Sequence, residues 1–479
     1  MSITTDLIQP GNIQLSSSTP APAVPEITLT PHQQEAHTKL LSYLTGSTPA
    51  PFAVLKGFAG TGKSVTVGKL VDSLKTLRIG PIGVCAPTHK AVKVLKRQGI
   101  LGVDYRTLHS ALALKENTDH LTGKRIYIPD KLKAGEEPIA DLEVLFLDET
   151  SMLAKELFDR MVPWMKKGLK VVFIGDPAQI PPVKEKDSIP FLYAEKWGAV
   201  VAELSQTMRQ KDGNPILEFA TAIRSDYESG SFTPSQHLLN NGEGIRLISH
   251  ADDEETALLQ EYFACKEFED DPDYMKVVAW RNTTVDKYNE IIRHIIYRDE
   301  AHVADIMQGE RLIMDAPFVL SAKNIITSNE EIEVVNLSTG SKKVEYNDET
   351  QAKRLDSFLC YYAKGIWYTD GRERSATIPI IHESDKSRLT GLLNNMRTWS
   401  LEAPYQFKAA RWRQYFNVLE SFAWVKYNYC LTGHKSQGST YDNCLVLKWD
   451  IDYNRNIEER NRILYVACTR ARNTLFIEP

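Results

Sequence analysis

Four runs of consecutive apolar residues, Phe52 to Leu55, Pro81 to Ala86, Val144 to Leu147 and Leu169 to Ile174, are separated by stretches whose apolar positions recur at helical spacing. Runs without polar alternation predict strands covered on both faces, and helical crossovers between them predict that the strands run parallel. The rhythm returns at Val277 to Trp280 and Cys444 to Leu447, followed by helical patterns at Thr284 to Tyr297 and Ile457 to Cys468. An α/β fold with two parallel-sheet domains is expected.

Elsewhere the rhythm breaks. From about Arg311 to Tyr427, short strand-like runs such as Ile332 to Leu337 alternate with turn signals, STG at Ser338 to Gly340 and TDGR at Thr369 to Arg372, before an aromatic-rich helical stretch. This reads as an insertion. A smaller one surrounds Leu121 to Pro129, an alternating run after a turn that reads as a hairpin. Pro10 to Pro25 has few large apolar groups to bury and reads as an extended or disordered leader. The expected division is a flexible leader at 1–26, a first domain at 27–111 and 141–210 with the hairpin insertion at 112–140, and a second domain at 211–310 and 428–479 with the insertion at 311–427.

With 479 residues, 42% of them hydrophobic, the chain can bury several cores. Lys plus Arg number 57 against 62 Asp plus Glu, a formal charge of −5, so any nucleic acid must meet local basic patches rather than a basic face. Six scattered cysteines form no C-x-x-C pair, which argues against zinc or a disulfide framework and fits a reducing cytoplasm. No apolar stretch approaches the roughly 18 residues of a membrane span, and no export signal opens the chain; a soluble protein is expected.

The first strand feeds into GFAGTGKS at Gly57 to Ser64, which matches G-x-x-x-x-G-K-[ST] between a strand and a helix. Gly57, Gly60 and Gly62 let the backbone curl so that its N–H groups, with that of Thr61, surround phosphates. Lys63 then neutralises the β- and γ-phosphates of ATP, and Ser64 ligates Mg²⁺. The third apolar run ends in Asp148 and Glu149, placing one carboxylate near the metal and the other near an attacking water. The fourth leads into GDPAQ at Gly175 to Gln179, where the amide of Gln179 is suited to sense the γ-phosphate.

Taken in order, these blocks resemble the motifs of superfamily 1 helicases, of the RecD-like branch and most of all the Dda helicases of tailed bacteriophages. Leu29 to Gln33 resembles the adenine-reading Q motif, Ala86 to Ala91 motif Ia, and Arg106 to Ser110 motif Ib. Asp148 to Met152 is similar to motif II, Gly175 to Gln179 to motif III, and Glu203 to Gln210 to motif IV. His434 to Thr440, with Gly438, resembles motif V, and Leu464 to Arg472 motif VI. The resemblance implies two RecA-like P-loop domains with ATP between them, a small hairpin insertion in the first and a larger, partly β (SH3-like) insertion in the second. Arg209 and Arg470 would then reach the γ-phosphate across the cleft. Phe58, where small residues or proline are frequent, and Thr150 after the acidic pair depart from the pattern.

For the nucleic-acid track, loops opposite the cleft offer Thr88, His89, Lys90, Thr107 and His109 from the first domain and His434, Lys435, Ser436 and Gln437 from the second. Trp280 is placed to stack on a base and reads equally as core. Lys90, Lys93, Lys96 and Arg97 recur at helical intervals, either a solvated face or a local basic patch. In the resembling family the hairpin is a strand-separation pin, with Tyr127 its wedge; an aromatic there otherwise packs beneath the hairpin. The resemblance implies a monomeric ATP-dependent helicase moving 5′ to 3′ on single-stranded DNA and opening forks, with a single-stranded DNA-binding protein or other replication proteins as candidate partners. Two alternatives share these motifs: a translocase that displaces proteins but unwinds weakly, and a nucleic-acid-binding module whose ATP site no longer turns over.

Overall fold

The computed structural model describes residues 28–58, 60–97, 99–119, 125–130, 135–206, 213–249, 253–298, 304–321, 324–369 and 372–479. The expected leader, the segment Leu121 to Lys124 of the hairpin and Thr207 to Gln210 of the motif IV block, Arg209 included, lie outside the described residues.

The first domain is built on β1 (Ala53–Gly57), β2 (Ile82–Ala86) and β3 (Asp104–Thr107), then the hairpin β4 (Leu114–Thr118) and β5 (Arg125–Pro129), then β6 (Val144–Leu147), β7 (Lys170–Gly175) and β8 (Val200–Leu204). All but the hairpin pair in parallel, in the order β3-β2-β6-β7-β1-β8. The central strands are the uninterrupted apolar runs; Leu55, Val84, Phe146 and Val172 pack towards one face and Val54, Cys85, Leu147 and Phe173 towards the other. At about 25 cal/mol per Å² of apolar surface removed from water, these two layers are the main stabilisation of the domain. The helix Pro31–Leu44 starts at Thr30, whose hydroxyl accepts from the Gln33 N–H while Gln33 Oε1 accepts from the Thr30 N–H, with Pro31 at its first position.

The second domain begins with β9 (His237–Leu238), β10 (Gly244–Leu247) and β11 (Met275–Ala279) and then leaves for the insertion. There β12 (Arg311–Met314), β13 (Phe318–Ser321), β14 (Asn324–Ile326), β15 (Glu331–Asn347), β16 (Lys353–Thr369), β17 (Arg372–Ile381) and β18 (Val425–Tyr427) are all antiparallel, and five form one sheet ordered β17-β16-β15-β12-β18. A helical hairpin, Glu383–Glu402 and Tyr405–Leu419, packs on the far end of that sheet. The chain returns through β19 (Cys430–Thr432), β20 (Tyr441–Val446) and β21 (Ala471–Ile477) to complete a sheet ordered β19-β11-β20-β21-β10-β9, parallel except at the short edge strand β9.

The turn expected at Ser338 to Gly340 does not form. Those residues lie in the middle of β15 and pair with Tyr362, Tyr361 and Cys360 of β16. The long antiparallel pairing of β15 with β16 runs through these residues on both sides, and a local turn preference cannot compete with it. At Gly340 the missing side chain makes room for the Tyr362 ring, which a Cβ would approach to 3.1 Å. Among the described residues no helix is long and apolar enough to cross a membrane.

Candidate active site

Parallel pairing sends the carboxyl ends of the first sheet to one edge. Lys56 stands opposite Gly175 and Cys85 opposite Leu147, so the phosphate loop, the Asp148–Glu149 pair and the turn at Asp176 all open on that edge, where open α/β sheets bind ligands. Gly60 and Gly62 have φ of 83° and 82°, left-handed values that favour glycine. At Gly57 a Cβ would come within 2.7 Å of Thr61 Oγ1. The loop is braced from below: Thr61 Oγ1 donates to the Phe58 carbonyl at 2.9 Å, and Gln33 Nε2 donates to the Thr61 carbonyl at 3.3 Å. Lys63 Nζ donates to the carbonyls of Gly57 at 2.7 Å and Phe58 at 3.1 Å, which holds its ammonium in the mouth of the loop. The helix Lys63–Thr76 starts there and directs the positive end of its dipole at the same point.

Lys63, Ser64 and Asp148 line one small cavity beside the loop. A hydroxyl and a carboxylate facing the same space are the hard oxygen donors that Mg²⁺ takes, so the residues fit the ion the sequence implies. Desolvation in the cleft raises Asp148, opposed by the Lys63 charge. Desolvation and then the charge of Asp148 push Glu149 up to about 7, with Arg470 and Lys63 pulling the other way. Glu149 also has left-handed backbone, φ 51° and ψ 40°, a conformation a non-glycine residue adopts at a cost. That turn aims its carboxylate across the cleft: Glu149 Oε1 lies 3.9 Å from the point where a Cβ on Gly438 would sit, and Gly438 itself has φ 72°.

The opposite wall comes from the second domain. Arg470 is buried at the end of the helix Ile457–Cys468, with Nε donating to the Val466 carbonyl at 2.9 Å and Nη1 to the Ser439 carbonyl at 2.8 Å. Gln179 is also buried, its Oε1 accepting from Ser151 Oγ at 3.4 Å. Three groups that sequence reasoning missed join the walls. Arg462, 1% exposed, donates to the carbonyls of Pro177 at 2.7 Å and Gln179 at 2.9 Å and forms a two-pronged ion pair with Asp187 at 3.0 and 3.1 Å. Asp176, fully buried, accepts from Tyr465 Oη at 2.5 Å and from Arg224 Nε at 3.2 Å. Arg462 sits among the apolar residues of its helix and Arg224 one position after the buried Ile223, so the only sequence signal was a charge on or beside an apolar stripe.

Residues 28–243 match the family model described as an AAA domain, and residues 427–477 match that of the UvrD-like helicase C-terminal domain. The ATP-dependent DNA helicase dda of Enterobacteria phage T4 is 26% identical over 440 residues, covering 88% of this chain and 93% of that protein. An uncharacterised protein of Acanthamoeba polyphaga mimivirus is also 26% identical, covering 92% of this chain and 98% of its own length. The ATP-dependent RecD2 DNA helicase of Deinococcus radiodurans is 30% identical over 189 residues, 40% of this chain and 23% of that protein. The chain is similar to superfamily 1 helicases of the RecD/Dda-like branch. The crystal structure of the Pif1 helicase from Candida albicans aligns over 94% of each chain with a TM-score of 0.48 and 16% identity.

In this chain the residues expected along a nucleic-acid track fall into two groups. Thr88 and Thr107 cap short helices with their hydroxyls, accepting from the Ala91 and Ser110 N–H groups, and His89 is exposed beside them. His109 packs its ring 4.1 Å from that of Tyr127, which is 38% exposed; burial and then the neighbouring His89 lower the His109 pKa. His434 is partly buried, and burial lowers its pKa.

The other group is engaged inside the protein. Lys90 is paired with Glu331 of the insertion at 2.6 Å rather than turned outwards. Gln437 Nε2 donates to the Ile180 carbonyl at 3.2 Å across the domain boundary, and Ser436 Oγ donates to the Gly433 carbonyl at 2.9 Å. Lys435 is paired with Asp315 at 3.0 Å. Trp280 packs partly buried against the second core, and its backbone N–H donates to Asp450. For Lys90, Lys435 and Gln437 the physical reason is shared: once two domains and an insertion close on these loops, polar groups find partners in the neighbouring unit, whereas Ser436 and Trp280 bond within their own domain.

Proposed function

We propose that this chain is an ATP-driven DNA helicase that moves 5′ to 3′ along single strands and opens forked duplex. The observation that supports it best is the cleft itself: Lys63 and Glu149 on one parallel-sheet domain face Arg470 and Gly438 on the other. In this reading Lys63 and the loop N–H groups hold the β- and γ-phosphates, Glu149 orients and deprotonates the attacking water, and Arg470 with Arg209 stabilises the charge that develops on the transferred phosphoryl group. Ser64 and Asp148 would hold Mg²⁺, which would supply neutralisation of the phosphate charge. Gln33 and Gly438 complete the nucleotide pocket, and Gln179 carries the state of the γ-phosphate to the domain boundary.

Binding of ATP then closes the two domains, hydrolysis releases them, and alternating grips on a single strand become steps. The strand passes Thr88, His89, Thr107, His109 and His434, and the hairpin carrying Tyr127 meets the duplex. Single-stranded DNA-binding proteins of the replication fork are the natural neighbours of such a motor. The test is ATP hydrolysis measured with single-stranded DNA, single-stranded RNA and no nucleic acid, followed by displacement of duplexes tailed at 5′ or 3′. Stimulation by DNA and displacement from a 5′ tail are expected; hydrolysis indifferent to DNA, or displacement from a 3′ tail only, overturns the reading.

A further inference from the structure

We propose that Arg224 is a positioning residue that ties the phosphate loop to the second domain through the ring of Phe58. Arg224 lies outside every motif considered above. It belongs to the helix Pro215–Ser225, which packs on the helix Ile457–Cys468 of the second domain, yet its guanidinium reaches the first domain at two points. Its carbon centre stands 5.1 Å from the centroid of the Phe58 ring, and its Nε donates to Asp176 at 3.2 Å. Asp176 is fully buried and accepts from Tyr465, also of the second domain, on its other oxygen.

The consequence follows from what each partner holds. The Phe58 carbonyl accepts from Lys63 Nζ and from Thr61 Oγ1, so the position of that residue sets the position of the ammonium in the loop. A planar cation laid on an aromatic face is attracted to the ring quadrupole, and more strongly where water is scarce; Phe58 is 8% exposed. Asp176, paired with the same guanidinium, begins the turn that presents Gln179. Arg224 thus joins both phosphate-facing loops of the first domain to one helix of the second, and movement of that helix on closure shifts them together. The aromatic at position 58, which sets this chain apart from the small residues frequent there, has its explanation in this contact.

The inference rests on the cleft being an ATPase site. The test is steady-state hydrolysis at saturating single-stranded DNA for the unaltered chain, Arg224→Ala, Arg224→Lys, Phe58→Leu and the double variant Phe58→Leu with Arg224→Ala. A positioning role predicts that Arg224→Ala lowers kcat at least about tenfold with KM for ATP within about threefold, and that Arg224→Lys restores only part of it because an ammonium lacks the flat stacking face. It also predicts that the double variant is no worse than Arg224→Ala alone, since both act through one contact. Phe58→Leu keeps an apolar side chain in the same place and reports on the contact even if Arg224→Ala fails to fold. Unchanged kcat, fully additive losses, or a tenfold rise in KM with kcat preserved overturn the proposal, the last by making Arg224 a direct nucleotide ligand. If the unaltered chain shows no DNA-stimulated hydrolysis, it is the ATPase reading that fails.

Discussion

Lys63 and Glu149 are the two side chains whose loss separates binding from chemistry. Lys63→Ala removes the cation that neutralises the phosphates, and DNA-stimulated hydrolysis should become undetectable in a phosphate-release assay. Glu149→Gln keeps the shape and the strained turn but removes the base. Its ATP binding, measured with a fluorescent analogue, should stay within about threefold while kcat falls by about 10² to 10⁴. Normal turnover in either variant would remove the catalytic assignment. Gly438 is the second-domain counterpart: a side chain there must adopt φ 72° within 4 Å of Ala91 and Glu149, so even Gly438→Ala strains the cleft.

Among the elements, the helix Pro215–Ser225 depends on its cap. Asn214 Oδ1 accepts from the Ile216 N–H at 2.8 Å and the Leu217 N–H at 3.2 Å, and the helix presents Ile216, Ala220 and Ile223 to the core. Asn214→Ala should cost about 1 kcal/mol, read as a lower thermal midpoint; an unchanged midpoint would mean that packing alone holds the helix. The hairpin β4–β5 depends on its surroundings, because two strands of five residues are marginal in isolation. Arg160 Nη2 donates to the Tyr127 carbonyl at 2.9 Å and the His109 ring supports the Tyr127 ring. If this hairpin splits duplex, Tyr127→Ala lowers strand displacement several-fold while DNA-stimulated ATPase survives; equal loss of both, or of neither, tells against a wedge.

At the scale of the molecule, the domains are joined by buried charge. Arg462 bonds two carbonyls and a carboxylate of the first domain. Arg462→Met would leave Asp187 without its partner, and removing one half of a buried pair costs about 3–5 kcal/mol. A large fall in the denaturation midpoint is expected, whereas a shift within error would show that the domains do not rely on this contact. Glu331 ties the insertion to both domains: burial alone would raise its pKa, but Lys90 and then Lys276 hold it down at about 2. A carboxyl depressed in the folded state stabilises above its unfolded pKa of about 4.3 and loses that contribution as pH falls towards 2. Glu331→Gln should therefore flatten the acid-side decline of the thermal midpoint in that window; an unaltered decline would remove Glu331 from the account.

The apolar runs determined the strands at β1, β2, β6, β7, β11 and β20 because a strand buried on both faces must be continuously apolar, and that property is written in adjacent residues. The phosphate loop and the acidic pair were equally legible, since their chemistry needs fixed residue types at fixed spacing. The partners of Lys90, Gln437, Arg224 and Arg462 were not. Each meets a group between 48 and 285 residues away, as Arg224 to Asp176 at 48 and Arg462 to Pro177 at 285 illustrate. Such contacts depend on how two sheets and an insertion close on one another. The long ladder of β15 and β16, which turned an expected turn into strand, was decided the same way, because backbone pairing across the sheet outweighs the preference of three residues.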